Sequence, residues 1–134
     1  MENNVCVESS TRLNILLVED DVTTQRIIAR FLERVTCAID IAGDGVEAID
    51  KLLEKEFDLI LMDIRLPNLD GFELIRYIRE QEPETKKRVP IIAMTASELP
   101  EDYHRAMEAG ADSYVLKPIT PEIIEEILDQ FVKN

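Results

Sequence analysis

The sequence predicts an α/β fold, a doubly wound five-stranded parallel sheet with five helices covering both faces. Short, almost continuous apolar runs recur along the chain and end in polar residues, as in strands buried on both faces. Segments with helical apolar spacing alternate with these runs. This alternation uses residues 12–134 as one domain and leaves 1–11 as a flexible tail.

The strands are predicted from the apolar runs themselves. Four runs are almost purely apolar and predict buried strands, at 15–18, 59–62, 89–94 and 114–116. The segment 37–42 is shorter and more mixed in character, so it is predicted as an edge strand.

The helices between these runs are predicted from apolar residues that recur at 3.6-residue spacing. The expected buried faces are Ile27, Ile28, Phe31, Leu32 and Val35 in the first helix, Val46, Ile49, Leu52 and Leu53 in the second, Leu74, Ile75 and Ile78 in the third, and Ile123, Ile124, Ile127, Leu128 and Phe131 in the fifth.

Helix ends are predicted from capping and stop residues. Asp44 and Thr120 are of the N-cap type and precede the second and fifth helices. The third helix is expected to begin near Gly71. Pro100 suits the first turn of the fourth helix, and Gly110 suits its C-terminal stop.

Composition excludes several classes of function. The chain has 15 basic and 28 acidic residues, a net charge of −13, which disfavours direct binding to nucleic acid or to anionic membranes. No apolar stretch approaches the roughly 20 residues that a membrane span needs.

The two cysteines, Cys6 and Cys37, lack metal-ligand spacing. Without a signal peptide pattern, a reduced cytoplasmic location is expected.

Polar residues follow the ends of four predicted strands. Carboxyl ends of parallel strands meet at one edge of the sheet, where ligands bind in such folds. The side chains expected there are Glu19, Asp20 and Asp21 after the first strand, Asp63 after the third, Thr95 and Ala96 after the fourth, and Lys117 followed by Pro118 after the fifth.

These residue types suit phosphoryl chemistry assisted by a metal. Clustered carboxylates repel one another, which raises a pKa unless a cation relieves them, and oxygen ligands on a loop suit Mg²⁺. Asp63 is the candidate nucleophile, which would form an acyl phosphate. Lys117 could pair with Asp63 and then with the phosphoryl oxygens, and Thr95 could donate its hydroxyl to them.

Four stretches of the chain resemble the receiver domains of two-component response regulators. The stretches are ILLVEDD at 15–21, DLILMDIRLPNLDGFELIRYIR at 58–79, PIIAMTAS at 90–97 and AGADSYVLKP at 109–118. The similarity covers about residues 12–131. It implies a flavodoxin-like fold of the receiver type with strand order 2-1-3-4-5.

The resemblance also implies a role for each matching residue. Asp63 would be phosphorylated, and Mg²⁺, or Mn²⁺ in its place, would be held by Glu19, Asp20, Asp63 and the main-chain carbonyl of Arg65. Glu19 stands where many relatives have Asp, so it could reach the metal directly or through a water. The phosphate-pairing and switch positions would be Thr95, Ala96, Tyr114 and Lys117. The remaining implied features are loop positions at Pro67 and Gly71 and a cis peptide before Pro118.

The implied function is a phosphorelay step. The domain would accept a phosphoryl group from a histidine kinase or a phosphotransfer protein, and would catalyse its own phosphorylation and dephosphorylation. It would then signal through the surface of its fourth helix, fifth strand and fifth helix, with a homodimer as one outcome. The residues VEDD together with Thr24 and Gln25, and the stretch AMTAS, resemble the corresponding residues of receivers attached to hybrid sensor kinases.

Three alternative functions fit the sequence less well than this one. A haloacid dehalogenase-type hydrolase usually needs a second acidic residue two positions after the nucleophile, and this chain has Arg65 there. A flavodoxin would need a hydroxyl- and glycine-rich loop after the first strand, and the loop here is acidic. A pseudo-receiver scaffold would not need the complete set of site residues. The single histidine, His104, is expected at the surface, so a phosphohistidine carrier is disfavoured.

Overall fold

A computed structural model describes residues 13–34, 38–67, 69–83 and 88–132 of the 134-residue chain. The predicted tail, with Cys6, lies outside the described residues, and so do Val35 and Cys37. In the described part of the chain, no helix is long and apolar enough to cross a bilayer.

Five strands alternate with five helices in the described residues, which confirms the predicted order of elements. The strands are β1 (Asn14–Val18), β2 (Ala38–Ala42), β3 (Leu59–Asp63), β4 (Ile91–Thr95) and β5 (Ser113–Leu116). The helices are α1 (Val22–Leu32), α2 (Gly45–Glu54), α3 (Gly71–Gln81), α4 (Pro100–Ala109) and α5 (Pro121–Phe131).

The strands form one parallel sheet in the order β2-β1-β3-β4-β5, as predicted, with β2 at an edge. In the register, Val18 pairs with Met62, Asp63 with Met94, and Thr95 with Leu116. The residues that follow β1, β3, β4 and β5 therefore emerge side by side at the carboxyl edge of the sheet.

Side-chain alternation along the strands divides the core between the two faces of the sheet. In β1, Leu16 and Val18 belong to the cluster on one face, whereas Ile15 and Leu17 belong to the cluster on the other. All four are fully buried. Each such side chain contributes on the order of 1.5–3 kcal/mol by leaving water, so the doubly covered strands hold the carboxyl edge in a fixed place.

The predicted buried faces of α3 and α5 are confirmed, whereas that of α1 is partly wrong. Ile28 and Leu32 of α1 are buried, but Ile27 is 47% exposed. At about 100° per residue, Ile27 lies about 100° from Ile28 and about 140° from Leu32 around the helix axis, so it falls outside the stripe that these two residues define. Ile28 and Leu32 are four residues apart, so they lie on the same side of the helix, and that side faces the core.

The predicted face of α2 is also partly wrong, for a positional reason. Ile49 and Leu52 pack against the core and Ala48 is fully buried, but Val46 and Leu53 are 59% and 79% exposed. This helix lies over β1 and the edge strand β2. A helix at the margin of a sheet has less sheet beneath it, so only a narrow stripe of its surface is covered.

The predicted helix ends are confirmed. The Glu47 N–H donates to the Asp44 carboxylate over 2.8 Å, and the Ile123 N–H donates to the Thr120 hydroxyl over 3.2 Å. The fourth helix runs from Pro100 to Ala109, and its C-cap is Gly110, which has a φ of 122°. A positive φ of this kind is accessible mainly to glycine, so Gly110 stops the helix and turns the chain into β5.

Candidate functional site

Three carboxylates meet at the carboxyl edge of the sheet. Glu19 and Asp20 follow β1, and Asp63 is the last residue of β3. One carboxylate oxygen from each residue lies within 4.8 Å of the others. Glu19 is 1% exposed and Asp63 is 4% exposed, whereas Asp20 is exposed. The sequence-based expectation that these acids lie together is confirmed.

Glu19 is held at both of its carboxylate oxygens. Oε1 accepts a hydrogen bond from Lys117 Nζ at 2.8 Å, and Oε2 accepts one from the Asp21 N–H at 3.1 Å. Burial raises the pKa of Glu19, and the negative charge of Asp63 raises it further, although both hydrogen bonds act in the opposite direction. The predicted rise of a pKa in the cluster thus falls on Glu19, with burial as its main cause.

The Asp63 carboxylate is also oriented by two contacts. Oδ1 accepts a hydrogen bond from the Arg65 N–H at 3.0 Å, and Oδ2 lies 3.3 Å from Lys117 Nζ. The pairing of Lys117 with Asp63 was expected, whereas its shorter contact with Glu19 was not. Burial alone would lower the pKa of Lys117, but the hydrogen bond to Glu19 and the charge of Asp63 outweigh it and raise the pKa.

The charges of this acidic cluster (Glu19, Asp20, Asp63 and Lys117) do not balance. Three carboxylates and one ammonium group leave a formal excess of two negative charges. A divalent cation would neutralise that excess, and carboxylate oxygens are the donors that Mg²⁺ prefers. The residues present therefore fit the predicted metal.

Asp21, the third acid after β1, serves a different purpose. Its carboxylate accepts hydrogen bonds from the N–H and the hydroxyl of Thr24, at 2.8 and 2.7 Å, and caps α1. These bonds lower the pKa of Asp21. The acid run EDD thus divides into two cluster carboxylates and one helix cap, which the sequence pattern did not distinguish.

The loop after Asp63 depends on Gly71. The Gly71 N–H donates to the Ile64 carbonyl over 3.0 Å, and a Cβ on Gly71 would lie 2.6 Å from Ile64 Cα. Only glycine permits such a close approach between two segments of main chain. Pro67 is exposed, and its carbonyl accepts the Leu69 N–H at 2.7 Å. Both residues shape this loop.

The predicted switch residues are connected through Ser97. Thr95 is 1% exposed, and its Oγ1 accepts the Ser97 N–H at 3.0 Å. The Tyr114 hydroxyl donates to the Ser97 carbonyl at 3.0 Å, and its ring contacts Tyr103 edge-to-face at 5.6 Å. Burial raises the pKa of the Tyr114 phenol above its usual value. Ala96, between Thr95 and Ser97, is exposed.

Lys117 is placed by the strand that precedes it. Its N–H donates to the Thr95 carbonyl over 2.7 Å, which extends the pairing of β4 with β5 by one residue. The Lys117–Pro118 peptide is cis, as the resemblance implied. His104 is exposed, as expected, and its ring lies against Tyr103.

One contact at this edge was not foreseen from the sequence. The side-chain amide of Gln25 in α1 donates to the main-chain carbonyl of Glu19 over 2.6 Å. The sequence offered only a weak signal for it, namely an amide side chain in the first turn of the helix that follows the acidic loop.

A flavodoxin-like sheet with carboxylates, a lysine and a buried hydroxyl at its carboxyl edge defines a class of α/β domains suited to binding a divalent cation and a phosphoryl group. Within that class, the chain belongs to the response regulator receiver domain family, whose family model matches residues 15–129. It is a receiver domain of two-component signalling.

Similar proteins include regulators and hybrid kinases. The transcriptional regulatory protein ResD of Bacillus subtilis is 41% identical over 115 residues, which covers 86% of this chain and 46% of that protein. The hybrid signal transduction histidine kinase L of Dictyostelium discoideum is 36% identical over 124 residues, covering 90% of this chain and 7% of that protein. The chain therefore spans less than half of either relative.

Two solved structures extend the comparison. The receiver domain of the sensor histidine kinase PA1611 from Pseudomonas aeruginosa, with a magnesium ion in its active-site cleft, aligns with a TM-score of 0.81 at 36% identity, covering 92% of this chain and 99% of that chain. A co-crystal structure of the Saccharomyces cerevisiae phosphotransfer protein Ypd1 with the receiver domain of Ssk1 aligns with a TM-score of 0.83 at 30% identity, covering 90% of this chain and 89% of the matched one.

Proposed function

We propose that Asp63 accepts a phosphoryl group in a reaction that the domain catalyses itself. The observation that carries the proposal is the position of the Asp63 carboxylate, which is buried between Lys117 and the acid pair that follows β1. The Arg65 N–H fixes Oδ1, so the carboxylate presents a constant orientation to an incoming donor. A carboxylate held in this way is a suitable nucleophile at phosphorus.

The donor is a phosphohistidine on a histidine kinase or a phosphotransfer protein. A carboxylate oxygen of Asp63 attacks the phosphorus, the P–N bond breaks, and the imidazole leaves with the electron pair of that bond. The similarity to a receiver crystallised with the phosphotransfer protein Ypd1 supports this class of partner. The same site would release the group by hydrolysis. We place the reaction in the cytoplasm, and we propose no direct contact with nucleic acid.

The metal ligands in this proposal are Glu19, Asp20, Asp63 and the main-chain carbonyl of Arg65. Mg²⁺, or Mn²⁺ in its place, would supply the positive charge that offsets the phosphoryl oxygens when bound. Lys117 stays protonated because of its acidic neighbours, and it can transfer its ion pair from Glu19 to the phosphoryl group. The magnesium-bound PA1611 receiver supports this choice of metal.

Phosphorylation would change the surface formed by α4, β5 and α5. Thr95 Oγ1 accepts a hydrogen bond from Ser97 but retains its own proton, which it can donate to a phosphoryl oxygen. Such a movement would displace the loop of Ala96 and Ser97. In the unphosphorylated structure, the Ser97 carbonyl of this loop accepts a hydrogen bond from the Tyr114 hydroxyl. Tyr114 would then move into the space near β4, and a partner or a second copy could prefer the new surface.

The phosphorylation proposal is tested with acetyl phosphate and Mg²⁺. Intact-mass spectrometry should show one added phosphoryl group on the wild-type chain and none on Asp63→Asn, because an amide cannot act as the nucleophile. Asp58→Asn is the matched control, since Asp58 is an exposed acid that precedes the same strand. Labelling that persists in Asp63→Asn would exclude Asp63 as the acceptor.

The switch proposal is tested with Thr95→Ala and the phosphate mimic beryllofluoride. The wild-type chain should show amide chemical-shift changes through residues 95–125. Thr95→Ala should still take up phosphate at Asp63 but lose most of the changes around Tyr114, because the hydroxyl that moves is missing. A full set of shifts in Thr95→Ala would separate Thr95 from the switch.

A further inference from the structure

We propose that Gln25 is a positioning residue, which fixes the peptide between Glu19 and Asp20 so that the Asp20 carboxylate faces the divalent cation. This inference rests on the proposed metal site and adds to it a residue that binds neither the metal nor the phosphoryl group.

The contact that carries the inference joins α1 to the acidic loop. Gln25 lies in the first turn of α1 and is half-buried, and its Nε2 donates to the Glu19 carbonyl at 2.6 Å. The Gln25 main-chain N–H bonds the Asp21 carbonyl at 2.9 Å, as a normal helical bond. The backbone of Gln25 is thus fixed by the helix, and its side chain transmits that position to the loop.

The other polar groups of Glu19 are fixed from different directions. Its N–H donates to the Ala42 carbonyl at the end of β2 over 2.9 Å. Its two carboxylate oxygens are held by Lys117 and by the Asp21 N–H. The carbonyl is the remaining polar group, and Gln25 is the side chain that holds it. The orientation of the Glu19–Asp20 peptide therefore depends on Gln25.

Asp20 is the cluster residue that most needs this support. In the described part of the chain, its carboxylate has no hydrogen bond or ion pair, and the residue is exposed. For such a side chain, the main chain sets the direction of the Cα–Cβ bond, from which the carboxylate reaches toward the cluster. The peptide that Gln25 holds is the one that leads into Asp20, so loss of this bond would let Asp20 sample other directions.

The β2–α2 turn supports the same arrangement from the other side. A Cβ on Gly43 would lie 4.0 Å from Gln25 Nε2, so this turn borders the Gln25 amide. The Gly43 N–H itself donates to Glu47 over 2.6 Å. The Gln25 amide thus lies between the acidic loop and the β2–α2 turn.

The experiment measures Mg²⁺ affinity by calorimetry or by amide shifts, without any phosphodonor. Gln25→Met keeps the approximate length of the side chain but removes the donor. Because a single hydrogen bond is lost, the Kd for Mg²⁺ should rise by roughly three- to tenfold. Gln130→Met is the matched control, since Gln130 is an exposed glutamine near the end of α5, and it should bind as the wild type does.

A double-variant cycle separates positioning from general stability. In an Asp20→Ala background, Gln25→Met should cause no further loss of Mg²⁺ affinity, because the group that it positions is absent. A purely structural role would weaken both backgrounds equally. If Gln25→Met does not fold, as judged by amide spectra, Gln25→Asn is measured instead, because it is too short to reach the carbonyl and should lose affinity similarly.

The possible outcomes distinguish this inference from the metal-site proposal. Equal Mg²⁺ binding by the wild type and Asp20→Ala would overturn the metal site and, with it, the role of Gln25. Weaker binding by Asp20→Ala with unchanged binding by Gln25→Met would overturn the positioning role alone. A loss that persists in the Asp20→Ala background would also overturn it.

Discussion

The two edges of the sheet carry charged clusters of opposite design. At the carboxyl edge, three carboxylates of the acidic cluster face one ammonium group. At the amino edge, two guanidinium groups face two carboxylates in an ion-pair network that joins the end of α3 to the segments before β4 and β5. The residues of this network are Arg79, Glu82, Arg88 and Asp112.

Arg79 is the centre of the amino-edge network. Its side chain is 11% exposed, and its guanidinium donates to Glu82 at 2.8 Å and to Asp112 at 2.6 Å. It also donates to the carbonyls of Val89 and Gly110, at 2.7 and 2.8 Å. A mostly buried cation that uses four of its five N–H donors in these bonds has its charge balanced, so there is little left for a ligand.

The difference between the clusters indicates what each is for. A balanced network of mutually bonded groups stabilises the fold and gains nothing from an added ion. The acidic cluster keeps an excess of negative charge in a partly buried place, which costs stability until a cation binds. Unbalanced charge at the edge where strands end thus suits the proposed metal site, whereas equally dense but balanced charge suits a structural connection.

The largest effect is expected from Arg79→Met. This change leaves Glu82 and Asp112 without their buried partner, so the free energy of unfolding in urea should fall by about 3 kcal/mol. Magnesium affinity should not change, because the two clusters lie at opposite edges. Arg76→Met, at an exposed position of the same helix, is the control and should be nearly neutral. A large change in Mg²⁺ affinity would contradict the separation of the two clusters.

A smaller effect of opposite sign is expected from Asp63→Asn. Without Mg²⁺, the substitution relieves the repulsion with Glu19 but also weakens the pair with Lys117, so the free energy of unfolding should rise by no more than about 1 kcal/mol. Adding Mg²⁺ should stabilise the wild type, by about 2.7 kcal/mol at a hundredfold excess over its Kd, and the variant much less. Urea titrations with and without Mg²⁺ measure the effect of the substitution and the effect of the metal on the free energy of unfolding. A less stable metal-free variant would mean that the excess charge is not costly here.

The smallest effect is expected from Arg88→Met, at the outer part of the ion-pair network. The Arg88 side chain is 54% exposed, and it contacts Asp112 at 3.1 Å. Solvent screens such a pair, so the free energy of unfolding should fall by about 0.5 kcal/mol or less. A loss as large as that of Arg79→Met would show that the network acts as one unit rather than through its buried member.

The helix faces show where the sequence was sufficient and where it was not. In α3, the predicted burial of Leu74, Ile75 and Ile78 is confirmed, because all three pack into the core cluster on one face of the sheet. In α2, the same apolar spacing overestimated burial at Val46 and Leu53. Periodicity identifies which residues share a face, but the width of the face that is covered depends on how much sheet lies beneath the helix.

The sequence by itself determined the strands, their parallel order through family resemblance, and the set of residues at the carboxyl edge. It could do so because parallel strands bring their ends to one edge, so a polar residue after an apolar run is placed by local pattern alone. Tertiary structure decided the partners. The contacts of Lys117 with Glu19, of Gln25 with the Glu19 carbonyl, and of Arg79 with Asp112 join different elements of the fold. Such contacts depend on how helices and loops are set against the sheet, to within tenths of an ångström, and no local pattern encodes that distance.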